Sequence, residues 1–173
     1  MSEVTTILQR LPGLGETDRR ALTDLGTHFR RRSYKDELLC REGDPADTLW
    51  VLAQGELEVV KRSDAGREFV VATLDPVTLF GHVGLFTSSG RTASIRAHGP
   101  VEVLQMSSTQ AHLVLRTSPY AVSGPFRRAL ILALSHQLQA ATQSLYRLAD
   151  EMGATETVQP DAEQRLLRAH SAL

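Results

Sequence analysis

Residues Phe80 to Ala97 read FGHVGLFTSSGRTASIRA, and in this run residue types and spacing suggest binding chemistry. Gly81 and Gly84 would let the backbone turn sharply and come close to a ligand. One helical turn over residues 83–86 would point free N–H groups outward at an anion. Arg91 supplies a planar, permanently charged fork suited to phosphate oxygens, with the Thr92 hydroxyl next to it. A glycine pair and one arginine are a weak signal alone, so the elements around them have to carry the argument.

The 173 residues are enough for one good core plus an appendage. With 42% hydrophobic, 23% charged and 5% aromatic residues, the composition is that of a globular protein. Nineteen basic residues against twenty acidic ones leave a formal charge of −1, so a long-range pull toward nucleic-acid backbones is not expected. The local basic cluster, Arg30, Arg31, Arg32 and Lys35, reads as a solvated surface between two elements. The single cysteine, Cys40, excludes an internal disulfide and a multi-cysteine metal site, and reads as a small buried hydrophobe. MSEVTTILQR lacks a signal pattern, and the apolar run Ala129 to Leu134 is too short to cross a bilayer. A cytoplasmic protein with no membrane contact is the expectation.

Leu22, Leu25 and Phe29 at helical spacing, after Thr17 as a cap, predict an amphipathic helix over Glu16 to Phe29. From Tyr34 the period changes to two, in Thr48–Ala53, Leu57–Lys61, Glu68–Leu74, Thr92–Ala97 and Val101–Met106. Turn signals separate these runs, among them Gly43-Asp44-Pro45, Gln54-Gly55, Asp75-Pro76, Ser88-Ser89-Gly90 and Gly99-Pro100. Short strands at this spacing predict a mainly β protein, a double-stranded β-helix or jelly-roll over about residues 34–106, with flanking helices. A short helix over Thr109–Leu115 and a long one from about Pro125 to Glu151 follow. Along the long one, Ile131, Leu134, Leu138, Ala141, Leu145, Leu148 and Met152 recur at spacings of 3, 4, 3, 4, 3 and 4. That seam either packs on the chain's own sheet or, being narrower than an ordinary amphipathic face, pairs with a second copy. Residues 1–152 thus form the domain, and 153–173 read as a linker with a short helix at Ala162 to His170.

The order of these parts resembles the cyclic nucleotide-binding domain family, the β-roll of catabolite-activator-type regulators, cyclic-nucleotide-dependent kinases and gated channels. The resemblance covers about residues 8–150 and rests on LPGL at Leu11–Leu14, EGDPADTLWVLAQGELEVV from Glu42 to Val60, and FGHVGLF followed by RTAS. It implies a phosphate-binding cassette made of Gly81, His82, Val83, Gly84, Leu85, Arg91, Thr92 and Ala93. Arg91 and Thr92 would meet the exocyclic oxygens of a cyclic phosphate, helped by backbone N–H groups near Gly84 and Leu85. Val71 and Leu74 would face base and sugar, and Thr142 or Gln143 on the long helix would reach the base edge. The family's glutamate for the ribose 2′-hydroxyl does not carry over, because His82 stands in its place.

Three readings of His82 remain at this point: an altered nucleotide contact, a structural loop residue, or a ligand to a metal or haem. His28, His98, His112 and His136 fall in separate elements, which disfavours the last. The favoured function is a regulatory module that binds cyclic AMP or cyclic GMP, needs no cofactor, and signals through its long helix to a second copy or a protein partner. The alternative is a degenerate β-roll that binds no nucleotide and serves as an interaction domain. A cupin-like metalloenzyme would need a His-x-His pair, which the sequence lacks, and no nucleophilic triad is legible, so no catalysis is expected. Only about twenty residues follow the long helix, too few for a winged helix-turn-helix, so no DNA contact is expected.

Overall fold

The computed structural model describes residues 2–87 and 89–152. The expected tail helix at 162–170, and Ser88 of the Ser88-Ser89-Gly90 turn, lie outside the described residues. The chain divides into two compact units, residues 1–135 and 136–173.

The first unit opens with α1 (Glu3–Arg10) and α2 (Arg19–Gly26). Asp18, one residue later than the expected Thr17, caps α2 by accepting from the N–H groups of Arg20 and Ala21. The helix ends at Gly26, short of Phe29, and its Leu22 and Leu25 are buried. Then come β1 (Arg30–Lys35), β2 (Leu38–Cys40), β3 (Thr48–Arg62), β4 (Glu68–Leu74), β5 (Thr78–Phe80), a single 3-10 turn at Val83–Leu85, and β6 (Ser94–Ser107). The strands form one antiparallel sheet in the order β1-β6-β3-β4, with β2 also paired to β6 and β5 to β3. This is the expected β-roll, with helices before and after it.

The two long strands are where the reading of separate short strands needs correcting. Thr48–Ala53 and Leu57–Lys61 are one strand, β3, and the expected Thr92–Ala97 and Val101–Met106 merge into one strand, β6, which begins only at Ser94. Each is bent, not broken, at its glycine. Gly55 has φ +88°, and a Cβ there would lie 2.4 Å from the Pro100 carbonyl oxygen, so only glycine lets β3 lie this close to β6 where their antiparallel register shifts. The basic run Arg30–Lys35 is itself a strand, not a connection, and Arg31 pairs with Glu3 and Glu102.

Alternation along β3 builds two cores. Leu49 and Val51 point to a cluster shared with the helices, including Leu8, Leu22, Leu25, Met106, Val114 and Phe126. Trp50 and Leu52 point the other way, into the roll, where they join Leu57, Phe80, Ile95, Ala97, Val101 and Val103. The second cluster walls the site.

After α3 (Ser108–Thr117), α4 runs Tyr120–Glu151, five residues earlier than Pro125 suggested. The Pro119 carbonyl accepts from the N–H groups of Val122 and Ser123 and starts the helix, while Val122, Phe126, Ala129 and Leu130 bury it in the helical cluster. Packing there tolerates Pro125 inside the helix. Beyond residue 135, Leu138 is 69% and Leu145 68% exposed. No helix among the described residues is long and apolar enough to cross a membrane.

Candidate functional site

Arg91 follows Gly90 and is fixed by its backbone before its side chain does anything. Its N–H donates to the Asp44 carbonyl at 2.8 Å, and its carbonyl accepts from the Gly43 N–H at 2.9 Å. The turn at 43–44 therefore clamps the residue from both sides and sends the side chain inward, where it is 7% exposed. The guanidinium carbon lies 4.4 Å from the Trp50 ring centroid. Nη2 donates to the Thr48 carbonyl at 2.6 Å, and Nη1 donates to the Gly81 carbonyl at 3.2 Å. Asp47 Oδ1 is 3.8 Å from Nη2, and its side chain is largely exposed.

The platform under Arg91 comes from strand pairing. Trp50 of β3 and Phe80 of β5 are directly opposite in register, and their rings stack at 5.3 Å with 15° between planes. Phe80 leads straight into Gly81, at φ +73°, where a Cβ would fall 2.8 Å from the Trp50 ring and 3.0 Å from Arg91 Nη1. Glycine at 81 is thus what allows indole, guanidinium and cassette backbone to meet.

His82 comes next and is 3% exposed. Burial pushes its pKa down to about 4, so at neutral pH the imidazole is uncharged. Burial also lowers the Arg91 pKa, with Asp47 and Asp44 among the groups acting against it, yet a guanidinium stays cationic. The Cys40 thiol is pushed up by burial and is half-buried, less enclosed than expected.

Among the described residues, four side-chain atoms are buried without a hydrogen-bond partner: Trp50 Nε1, Arg91 Nε, and both ring nitrogens of His82. Leaving such a group unpaired costs about 1–3 kcal/mol. These atoms belong to two neighbouring side chains and the residue after Gly81, so the unmet polar groups of the fold gather at the cassette. Trp50 Nε1–H and Arg91 Nε–H are donors only, and a neutral imidazole adds one donor and one acceptor. A partner rich in acceptors, such as an oxyanion, fits that set.

Other expected residues are placed as follows. Val83, Gly84 and Leu85 form the 3-10 turn, and the Leu85 N–H is already donated to the His82 carbonyl at 3.0 Å. Thr92 is exposed, Ala93 half-buried, and Lys61 holds the Thr92 carbonyl at 2.5 Å while pairing with Glu42. Leu74 is half-buried against the inner cluster. Val71 is the extra residue of a bulge between β3 and β4 and is 55% exposed. Thr142 is exposed in the second unit, its hydroxyl donating to the Leu138 carbonyl. Gln143 is also exposed. Trp50 was not singled out in the sequence, although its place on the inward side of the alternation TLWVLA was the available signal.

Among the described residues no three His, Cys, Asp or Glu side chains converge as metal ligands. Curated relatives include the CRP-like protein Clp of Xanthomonas oryzae pv. oryzae, 27% identical over 147 residues. That match covers 84% of this chain and 64% of the relative, so the chain spans under two thirds of the relative's length. Solved structures share the fold. The c-di-GMP-responsive global regulator CLP of Xanthomonas campestris gives a TM-score of 0.67 at 24% identity, covering 90% of this chain and 72% of that one. A cyclic nucleotide-binding domain from Methylobacillus flagellatus gives 0.73 at 18% identity, covering 83% and 82%. The profile described as cyclic nucleotide-binding domain matches residues 30–118, from the first residue of β1 through the end of α3. With the roll, the inward arginine and more than half of the chain accounted for by that match, the chain belongs to the cyclic nucleotide-binding domain family.

Proposed function

We propose that this chain is a non-catalytic sensor that takes cyclic AMP or cyclic GMP into the roll, anchors its phosphate on Arg91, and answers through α4. The observation that carries this reading is the cluster of unpaired buried donors on Trp50 and Arg91 beside His82. A cyclic phosphate offers the acceptors they lack, at the position where the family keeps its cassette arginine. Thr92 supplies the adjacent hydroxyl, Leu74 the sugar-side wall, and Val71 a further contact to base or sugar.

The output surface is the seam on α4. Leu138, Leu145, Leu148 and Met152 are each more than half exposed, and their heptad spacing suits a second copy of the chain. A ligand shifts such an assembly only by binding its two arrangements with different affinity. The module works in the cytoplasm.

A second reading has an observation of its own. Arg91 already gives a hydrogen to each of two backbone carbonyls, Thr48 and Gly81, as a purely structural arginine would. In that case the roll is an interaction domain with no nucleotide. Calorimetric titration with cyclic AMP, cyclic GMP and c-di-GMP, the last because one relative responds to it, separates the two. The sensor reading expects saturable heat from at least one, weakened about a hundredfold or more by Arg91→Ala, the loss of a charged bidentate contact. Silence with all three supports the interaction domain. Equal binding by wild type and Arg91→Ala removes the phosphate site.

A further inference from the structure

We propose that Trp50 is a positioning residue for the ligand: its ring fixes the plane of the Arg91 guanidinium so that the anion is received on the Nε edge, with the indole N–H as a second donor. The inference rests on the sensor reading above and adds a residue and an edge to it.

An arginine presents five N–H hydrogens in a rigid plane, and which edge meets an anion depends on which hydrogens the protein has already engaged. Here Nη1 gives a hydrogen to the Gly81 carbonyl and Nη2 gives one to the Thr48 carbonyl, with Asp47 on the same nitrogen. Each terminal nitrogen therefore has one of its two hydrogens engaged by backbone. Nε, on the side nearer the chain, is buried and has no partner. The guanidinium carbon sits 4.4 Å from the Trp50 ring centroid, and Trp50 Nε1 is likewise buried without a partner. Two donors cannot satisfy each other, so each calls for an acceptor, and on this proposal one group serves both. A phosphate, with several oxygens on one centre, has that shape and charge.

Trp50 itself is held by the strand register that puts it opposite Phe80, on which it stacks, so the plane it imposes on Arg91 is set before any ligand arrives. Without the ring, the long side chain has to be ordered during binding, and affinity falls by about tenfold. Phenylalanine or tyrosine keeps the ring face and loses the indole N–H.

The chain contains one tryptophan, so its indole N–H gives a single signal in a proton–nitrogen correlation spectrum. Titrate wild type with the cyclic nucleotides and c-di-GMP, following heat and this signal together. The proposal expects the indole signal to move with the same midpoint as the heat. It also expects Trp50→Leu to weaken binding about tenfold and Trp50→Tyr to recover most of that loss. In an Arg91→Lys background, which has no fork to orient, Trp50→Leu should cost little further; a merely structural role would give the same loss in both backgrounds. Binding heat with an unmoved indole signal, or equal losses in both backgrounds, overturns the proposal while leaving the sensor reading in place. No heat with any of the three nucleotides overturns both.

Discussion

Acidification tests the burial of His82 directly. The ring is 3% exposed, both its nitrogens lack partners, and its pKa falls from 6.5 to about 4 on folding. Above the unfolded value both states are neutral and pH has no purchase on this residue. Between 6.5 and about 4 the unfolded chain binds a proton that the native chain refuses, so stability is lost as pH falls through that window. At roughly 1.4 kcal/mol per pKa unit, the full window amounts to about 3 kcal/mol. That is a sizeable share of the roughly 5–15 kcal/mol that holds a typical domain together. Urea unfolding at about pH 7 and about pH 4.5 would be compared for wild type and His82→Gln, whose side chain does not titrate. The carboxylates and the exposed histidines respond alike in both proteins and cancel in the difference. Wild type should lose about 2–3 kcal/mol more than the variant between the two pH values. An equal loss would mean that the native imidazole accepts a proton freely, and the picture of a neutral, enclosed residue 82 would be wrong.

Restoring a carboxylate by His82→Glu should tighten cyclic AMP binding by about tenfold or more, since a charged acceptor contributes roughly 1.5–3 kcal/mol against about 0.5–1.5 for a neutral one. Calorimetry reads this, and an unchanged or weakened affinity would show that the ribose does not lie against residue 82. Sedimentation should find a dimer at high micromolar concentration and a monomer for the double variant Leu138→Glu with Leu145→Glu, because like charges facing one another across a seam oppose pairing. A wild-type monomer with and without nucleotide would remove the second copy from the mechanism.

The roll was legible because its period is two over long runs: Leu49 to Leu52 alternate strictly between two apolar clusters, and such alternation fits no helix. What the sequence hid is tertiary. β5 is three residues, Thr78–Phe80, too short to show a period, yet it carries the ring that stacks on Trp50. Gly55 and Gly99 carry turn chemistry, and only the pairing of β3 with β6 on both sides of them reveals that they bend strands without ending them. Pro125 marks a first turn in isolation, but burial of Val122 and Phe126 carries α4 back to Tyr120. Arg91 could be picked out from its neighbours in the chain. Its support could not, because Trp50 is forty-one positions away and meets it only when β3 and the cassette close.

That support bears on why a charge sits inside the roll at all. A buried guanidinium is an expensive strut: apolar replacements of buried ionic groups are often neutral or stabilising, so fold stability alone gives weak reason for one. Two backbone carbonyls offset part of the desolvation of Arg91, and the ring of Trp50 offsets more, by about 2 kcal/mol for a desolvated cation over an aromatic face. Neither reaches Nε. If the side chain were only structural, the same contacts would be expected to close over all of its hydrogens, and the neighbouring indole N–H would have a partner within the fold. Instead two neighbouring groups, Trp50 and Arg91, are both left as donors in want of an acceptor, and His82, which burial keeps neutral, adds one donor and one acceptor without partners. On the proposed function, a small anion entering the roll would supply what both donors lack, and the cost of burying the arginine would then be the source of its affinity.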